Sequence, residues 1–200
     1  MKILKGPYHS SRELIEAIRN LQRKQSTLLI GVDGCGGSGK STLSKMLKDE
    51  LPDVTVVHKD DFYLPSFQLI KDVPANKPIG ADFDWKRLMA QVLDPLSSDQ
   101  DGYYQRYDWD TDTLAEFHTV PAGGIVIIEG VYSTRKELED FYDLKIWVDC
   151  PRELRLARGI ERDGEGAREM WEANWMVAED MYVQQQKPSE RADIVISGTN

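Results

Sequence analysis

The chain has few of the residues that disulfide frameworks, metal centres and membrane spans require. Its 200 residues include only two cysteines and three histidines. Cys35 and Cys150 do not predict a disulfide framework and fit a reducing cytoplasm, where we expect the protein to be located. The histidines have no nearby ligand set, and no apolar run is long enough to cross a membrane. We therefore expect neither a histidine-based metal site nor a membrane partner.

Positive charge is also scarce. Lysine and arginine number 25 against 34 aspartates and glutamates, which gives a net charge of −9, and no long basic run occurs. Nucleic acid is therefore not an expected partner, because its phosphate backbone requires an extended basic surface. A small phosphate compound can still bind, since such a site needs positive charge only locally. The length predicts one domain over residues 1–200.

The most specific motif is a glycine-rich segment between a predicted strand and a predicted helix. Residues 34–41 read GCGGSGKS and match G-x-x-x-x-G-K-[ST], the phosphate-binding P-loop. Its glycines let backbone N–H groups turn toward a phosphate, and the helix N-terminus adds partial positive charge. Lys40 can reach the β- and γ-phosphates, and the Ser41 hydroxyl can ligate Mg²⁺. The residues expected to bind a nucleoside triphosphate are Gly34, Gly36, Gly37, Ser38, Gly39, Lys40, Ser41 and Thr42.

Predicted strands and helices alternate along the chain. Ser10 and Glu13 have capping-box spacing at the start of a helix, which lies in an N-terminal helical extension over residues 1–24. Strands are predicted at 28–33, 54–58, 125–128, 144–149 and 192–196, and further helices after the P-loop, from Asp84, from Pro151 and over 171–182. This alternation predicts an α/β fold with a parallel sheet covered on both faces. Segments 103–109 and 113–120 predict a strand pair outside that sheet.

Carboxylates follow two of the predicted strands, so we expect them at the edge of the sheet where ligands bind. Asp60 and Asp61 follow the strand at 54–58. One of them could accept the proton of a hydroxyl during phosphoryl transfer, or bind Mg²⁺ through water. Glu129 ends the apolar run 125–128, an arrangement in which a carboxylate holds Mg²⁺ or a metal-bound water. Position alone leaves simpler alternatives open, an acidic turn and an exposed strand end.

Arginines recur in the predicted helix after Pro151. Arg155, Arg158 and Arg162 are spaced by three and four residues and therefore share one helix face. This face could clamp triphosphate charge and act as a moving lid over about residues 158–170. The alternative is a solvated face that is paired with neighbouring glutamates.

Together these motifs resemble the uridine kinase family of P-loop kinases, in order from about residue 25 to the C-terminus. The segments that carry the resemblance are the P-loop, DDFY at 60–63, ADFD at 81–84, YD at 107–108, EG at 129–130, 155–163 and 191–196. The DDFY element is the most family-specific, because many families share the P-loop. The resemblance implies a three-layer P-loop NTPase fold of the nucleoside kinase type, with a mainly parallel sheet and an arginine-bearing lid.

The resemblance also implies an activity and roles for residues at the donor site. The γ-phosphate of ATP, bound with Mg²⁺, would be transferred to a hydroxyl of a small-molecule acceptor. Lys40, Arg158 and Arg162 would stabilise the charge that is transferred. Ser41 and Glu129 would position Mg²⁺.

At the acceptor site, the resemblance implies that Asp60 accepts the proton of a ribose 5′-hydroxyl. Tyr63 and Tyr107 would line the nucleoside site. Asp84 would bind the 2′- and 3′-hydroxyls, since one carboxylate can accept hydrogen bonds from both hydroxyls of a cis-diol. Relatives are often oligomeric, partly through the strand pair, so a homo-oligomer is one expected assembly.

The chain departs from the family after residues 107–108. Relatives that phosphorylate uridine and cytidine typically carry a histidine and a following arginine there, where simple spacing gives Asp112 and Leu114. Asp108, Asp110 and Asp112 crowd this region, which would repel an anionic acceptor and suit a neutral or cationic one. A nucleoside such as uridine or cytidine is the leading expectation. Nicotinamide riboside or a pantothenate-like alcohol is the alternative acceptor, and an NTP-hydrolysing switch module is the alternative outside the kinases.

Overall fold

Six strands form the main sheet of the computed structural model, which describes residues 2–199. Across the sheet the strands are β1 (Lys2–Lys5), β8 (Ile194–Ser197), β7 (Leu144–Asp149), β2 (Leu28–Asp33), β6 (Ile125–Glu129) and β3 (Val54–His58). All neighbouring pairs are parallel except β1 and β8, which are antiparallel. The predicted, mainly parallel sheet is therefore confirmed. β1 was not predicted, and it lies in the segment that was expected to be a helical extension.

The helices lie between the strands in the expected order. They are α1 (Ser11–Arg19), α2 (Lys40–Glu50), α3 (85–97), α4 (Arg152–Asp163), α5 (168–186) and α6 (Pro188–Arg191). The capping box at the start of α1 is confirmed, because Ser10 Oγ accepts a hydrogen bond from the backbone N–H of Glu13 at 3.2 Å. The helix predicted to begin at Pro151 begins one residue later, at Arg152, and Pro151 is its N-cap. Both α3 and α5 contain a π-helical turn, at Met89–Leu93 and Trp171–Trp175.

Alternation along the central strands separates the core into two clusters. In β2, Leu28, Ile30 and Val32 pack in one cluster with residues of α1 and α2, whereas Leu29 packs in the other with residues of α3. This period of two is what a strand buried on both faces requires. Helices thus cover both faces of the sheet, and the three-layer architecture is confirmed. In the part of the chain that the structure describes, every helix is too short or too polar to cross a membrane.

The predicted strand pair is also confirmed. β4 (Gly102–Asp108) and β5 (Thr113–Val120) form a separate antiparallel two-stranded sheet. This hairpin packs against α3 and against the 3₁₀ turn Lys59–Phe62 that follows β3. The rings of Phe62 and Tyr104 stack with their centroids 4.8 Å apart. The hairpin therefore lies next to the turn that carries Asp60 and Asp61.

Candidate active site

The P-loop joins the end of β2 to the start of α2 and lies close against neighbouring backbone. Gly34 has a φ of +155°, and a Cβ there would be 2.7 Å from the carbonyl oxygen of Val148 in β7. Gly37 has a φ of +73°, and a Cβ there would be 2.5 Å from the carbonyl oxygen of Arg155 in α4. Neither position tolerates a side chain. A cavity of about 790 Å³ opens beside the loop, within the range of small-molecule sites.

Most of the residues predicted to bind the donor line this cavity. They are Gly36, Gly37, Gly39, Lys40, Ser41 and Thr42, whereas Gly34 and Ser38 do not line it. Lys40 Nζ donates to the carbonyl oxygen of Cys35 at 3.0 Å, within the loop itself. Most of the loop and the Lys40 side chain therefore border one space, and backbone N–H groups and an ammonium group are the donors that bind phosphate.

Ser41 and Glu129 meet across the cavity. Ser41 Oγ donates to Glu129 Oε1 at 3.3 Å, and His58 Nδ1 lies 2.7 Å from the same oxygen. Burial acts to raise the pKa of Glu129, but its contacts with His58, Lys40 and Ser41 outweigh burial and hold the pKa below its ordinary value. Hydroxyl and ionised carboxylate oxygens are ligands that suit Mg²⁺. The chemistry of this pair thus fits the predicted metal site.

The structure separates the two aspartates of the 3₁₀ turn. Asp60 lines the cavity, and burial raises its pKa although the charge of Lys40 acts in the opposite direction. Asp61 does not line the cavity, and its Oδ2 accepts a hydrogen bond from Tyr104 Oη at 2.7 Å. Of the two carboxylates, only Asp60 can approach a ligand in the cavity.

Lys59, in the same turn, is fully buried and has no hydrogen-bond partner for Nζ among the described residues. Its Nζ lies 4.9 Å from the centroid of the Phe83 ring. Burial lowers the pKa of Lys59 to about 7. A buried amine without a partner is uncommon, because desolvation penalises its charged form.

Four aromatic side chains, Tyr63, Phe83, Trp109 and Tyr132, line one part of the cavity, here called the aromatic end. Tyr63 has its ring centroid 4.5 Å from that of Trp109 and 5.1 Å from that of Phe83. The predicted residue Tyr107 lies behind this wall, with its hydroxyl donating to Asp112 Oδ1 at 2.7 Å. Trp109, which the sequence analysis did not single out, faces the cavity in its place.

Asp84 likewise does not line the cavity. Its Oδ1 accepts a hydrogen bond from the backbone N–H of Arg87 at 2.9 Å, so the side chain caps the start of α3. Asp82 lines the cavity instead and forms a 3.0 Å ion pair with Lys77. A side chain that caps a helix is held by the backbone, and this explains why the carboxylate of Asp84 does not reach the cavity.

The cluster of aspartates at 108–112 does not line the cavity either. Asp112 accepts hydrogen bonds from Tyr107 and from the backbone N–H of Ser66 at 2.9 Å, and Asp108 accepts one from the Thr111 hydroxyl at 3.0 Å. These carboxylates stabilise the tip of the hairpin. None of them contacts the cavity directly, so repulsion of an anionic acceptor by this cluster would act over a distance, and it remains a prediction.

The predicted arginine face divides into two parts. Arg158 and Arg162 line the cavity, but Arg155 is buried and pairs with Glu179. Arg158 Nη1 donates to the carbonyl oxygens of Gly37 and Gly198 at 3.2 and 2.8 Å. Arg162 pairs with Asp163 at 2.7 Å. Two of the three arginines thus lie where a phosphate group could reach them.

Several residues that shape the site were not predicted. Trp171 and Glu179, both on α5, contact the P-loop from the far end of the chain, and no local pattern identifies them. Asp33 ends β2 directly before the P-loop and is fully buried. It accepts hydrogen bonds from the hydroxyls of Tyr182 and Thr134 at 2.6 and 2.9 Å. A carboxylate at the end of an apolar strand is the signal that had identified Glu129, and it could have identified Asp33.

Comparison with known proteins identifies the family. A model of the Phosphoribulokinase / Uridine kinase family matches residues 29–198. The chain belongs to this family. It is 28% identical over 191 residues to the uridine kinase of Limosilactobacillus reuteri (strain DSM 20016), covering 88% of this chain and 86% of that protein. It is 30% identical over 183 residues to the uridine kinase of Streptococcus pyogenes serotype M5 (strain Manfredo), covering 84% and 86%.

Solved structures agree with the sequence comparisons. A structure described as a possible uridine kinase from Bacillus stearothermophilus superposes with a TM-score of 0.72 at 26% identity, covering 92% of this chain and 96% of that one. As a member of the Phosphoribulokinase / Uridine kinase family, the chain is a phosphotransferase that acts on an alcohol group. The family implies ATP as the phosphate donor.

Proposed function

We propose that the chain transfers the γ-phosphate of ATP to a hydroxyl group of a nucleoside such as uridine or cytidine. The observation that carries this proposal is that Asp60, the P-loop and two arginines line one cavity, which also has an aromatic end. Relatives named uridine kinase support a nucleoside as the acceptor. A nucleoside base is a flat ring, and such rings stack favourably on aromatic side chains.

At the donor site, the P-loop N–H groups and Lys40 hold the phosphates of ATP. Ser41 and Glu129 would hold the Mg²⁺ that accompanies ATP, and this ion neutralises phosphate charge when it is bound. Arg158 and Arg162 stabilise the charge on the phosphoryl group after they release their present partners. That release would require movement of the predicted lid over residues 158–170.

At the acceptor site, Asp60 accepts the proton of the attacking hydroxyl and holds that group in line with the γ-phosphate. Its raised pKa makes it a stronger base than an aspartate with the ordinary pKa, and the charge of Lys40 helps to keep it ionised. Tyr63 and Trp109 provide the ring surface for the base. Contact of Asp84 with the ribose diol remains a prediction, and it requires the carboxylate to leave its capping position on α3 and turn toward the cavity.

The first experiment measures ADP release from Mg·ATP with a panel of acceptors: uridine, cytidine, purine nucleosides, nicotinamide riboside and pantothenate. One acceptor should raise the rate well above the background without acceptor. A response to nicotinamide riboside or pantothenate alone would replace the nucleoside assignment with the alternative acceptor class. A flat panel together with tight ATP binding would contradict the nucleoside assignment and leave two alternatives, an acceptor alcohol outside the panel or an NTP-hydrolysing switch.

Asp60→Asn tests the assigned base, and Asp61→Asn is its matched control. We expect Asp60→Asn to lower acceptor-dependent turnover at least a hundredfold, the usual size of a general-base contribution, while ATP still binds. Asp61→Asn should stay close to wild type, because an amide oxygen can still accept the Tyr104 hydrogen bond. Equal losses in both variants would mean that Asp60 is not the specific proton acceptor.

A further inference from the structure

Glu179 joins α5 to the P-loop through a buried ion pair. The residue is 4% exposed, and its Oε1 accepts a hydrogen bond from the backbone N–H of Gly36 at 2.8 Å. Its Oε2 accepts one from Arg155 Nη1, also at 2.8 Å. Burial raises the pKa of Glu179, but hydrogen bonds from Gly36 and Arg155 to its two oxygens and the positive charge of Arg155 favour the ionised carboxylate. Three elements, the P-loop, α4 and α5, are thus connected through one side chain.

Trp171, eight residues before Glu179 on α5, lies against the same part of the P-loop. A Cβ at Gly36 would lie 2.9 Å from the ring of Trp171 and 3.0 Å from Glu179 Oε1. Gly36 therefore lies against the indole, and its N–H is hydrogen-bonded to the carboxylate. The loop cannot turn this N–H away without breaking a partly buried, charge-assisted hydrogen bond.

Asp180, the next residue, also lies near Arg155, but it differs from Glu179 in its contacts with the P-loop. Its Oδ1 lies 3.8 Å from Arg155 Nη2, but its side chain is 51% exposed and makes no hydrogen bond to the P-loop. The two carboxylates share a helix and an arginine. Only Glu179 also contacts the loop.

We propose that Glu179 is a positioning residue of the donor site, which fixes the Gly36 end of the P-loop so that the loop binds ATP without reorganising. Arg155 neutralises the carboxylate, so its negative charge does not oppose the phosphates. Because the loop is already ordered, ATP binding does not have to order it, and affinity rises accordingly. This inference rests on the proposed function only in taking ATP as the ligand of the P-loop.

The test measures ATP binding by calorimetry without any acceptor, on the full chain with Mg²⁺ present. Glu179→Ala should weaken ATP binding about tenfold or more, the effect of losing one hydrogen bond to a charged group. Asp180→Asn should bind ATP as wild type does. The double variant Arg155→Met/Glu179→Met removes both charges together, so no buried charge is left unpaired if Glu179→Ala does not fold.

The double variant distinguishes positioning from simple stabilisation. If Glu179 positions the loop, the double variant melts near the wild-type temperature and yet binds ATP about tenfold more weakly. Wild-type ATP affinity in this folded double variant would overturn the inference while leaving the proposed function intact. If the wild-type protein does not bind ATP, the donor assignment fails and this inference fails with it.

Discussion

Lys59 provides a prediction whose size follows from the structure. Its ammonium group is fully buried, and burial lowers its pKa from the ordinary 10.5 to about 7. Each pH unit of displacement corresponds to about 1.4 kcal/mol, so protonated Lys59 destabilises the fold by about 5 kcal/mol below pH 7. We therefore expect Lys59→Met to stabilise the protein by up to about 5 kcal/mol at pH 6, because methionine has similar length and no charge.

The lowered pKa of Lys59 also determines how the stability of the wild-type protein changes with pH. Between about pH 7 and pH 10.5 the unfolded chain binds more protons at residue 59 than the folded chain does, so wild-type stability rises with pH across that window. The advantage of Lys59→Met should therefore be greatest below pH 7 and should shrink toward pH 10. Other groups titrate in both proteins and cancel to first order in the difference.

Urea unfolding at pH 6 and pH 9.5 measures the free energy of unfolding of both proteins. Lys45→Met is the control, because Lys45 has a side chain that is 75% exposed and should change stability by less than about 0.5 kcal/mol at either pH. An advantage of Lys59→Met that is equal at both pH values would refute the reasoning. So would a loss of stability at pH 6.

Two further predictions concern side chains that the sequence analysis did not assign to the site. Tyr182→Phe removes the hydroxyl that donates to the buried carboxylate of Asp33 at 2.6 Å, and should lower the free energy of unfolding in urea by about 1–3 kcal/mol. A change below about 0.5 kcal/mol would contradict the importance of that bond. Trp109→Ala should raise the acceptor KM several-fold and leave ATP affinity unchanged in calorimetry, because the ring lies at the aromatic end. Tyr103→Ala, at an exposed hairpin position that does not line the cavity, should leave both values unchanged.

The features of the fold that could be predicted from the sequence are those set by local sequence patterns. The structure contains the P-loop, the apolar strands that alternate with helices, and the capping box. Each of these depends on residues close together in the chain. β1 was missed because it is a four-residue edge strand with one half-buried apolar residue, and it exists only by pairing with β8 at the other end of the chain. Glu179 was missed for the same reason, since it is 143 residues from Gly36.

The sequence also did not predict the direction in which individual side chains point. The sequence did not separate Asp60 from Asp61, because adjacent carboxylates after a strand are equivalent until the 3₁₀ turn points them apart. Asp84 and Tyr107 were assigned from a motif, but helix capping and a hydrogen bond to Asp112 direct their polar groups elsewhere. A motif fixes where the backbone goes more firmly than where each side chain points.

The position of the β4–β5 hairpin has an evolutionary consequence. The P-loop and Asp60 follow strands of the main sheet and Glu129 ends one, whereas Trp109 follows β4, in a separate sheet. Substitution of Trp109 between β4 and β5 can therefore reshape the aromatic end without changing a residue of the P-loop or of the main sheet. Selection could exchange one acceptor for another in small steps without passing through a protein that has lost its phosphate donor. A family whose description includes both phosphoribulokinase and uridine kinase is the outcome that such a division allows.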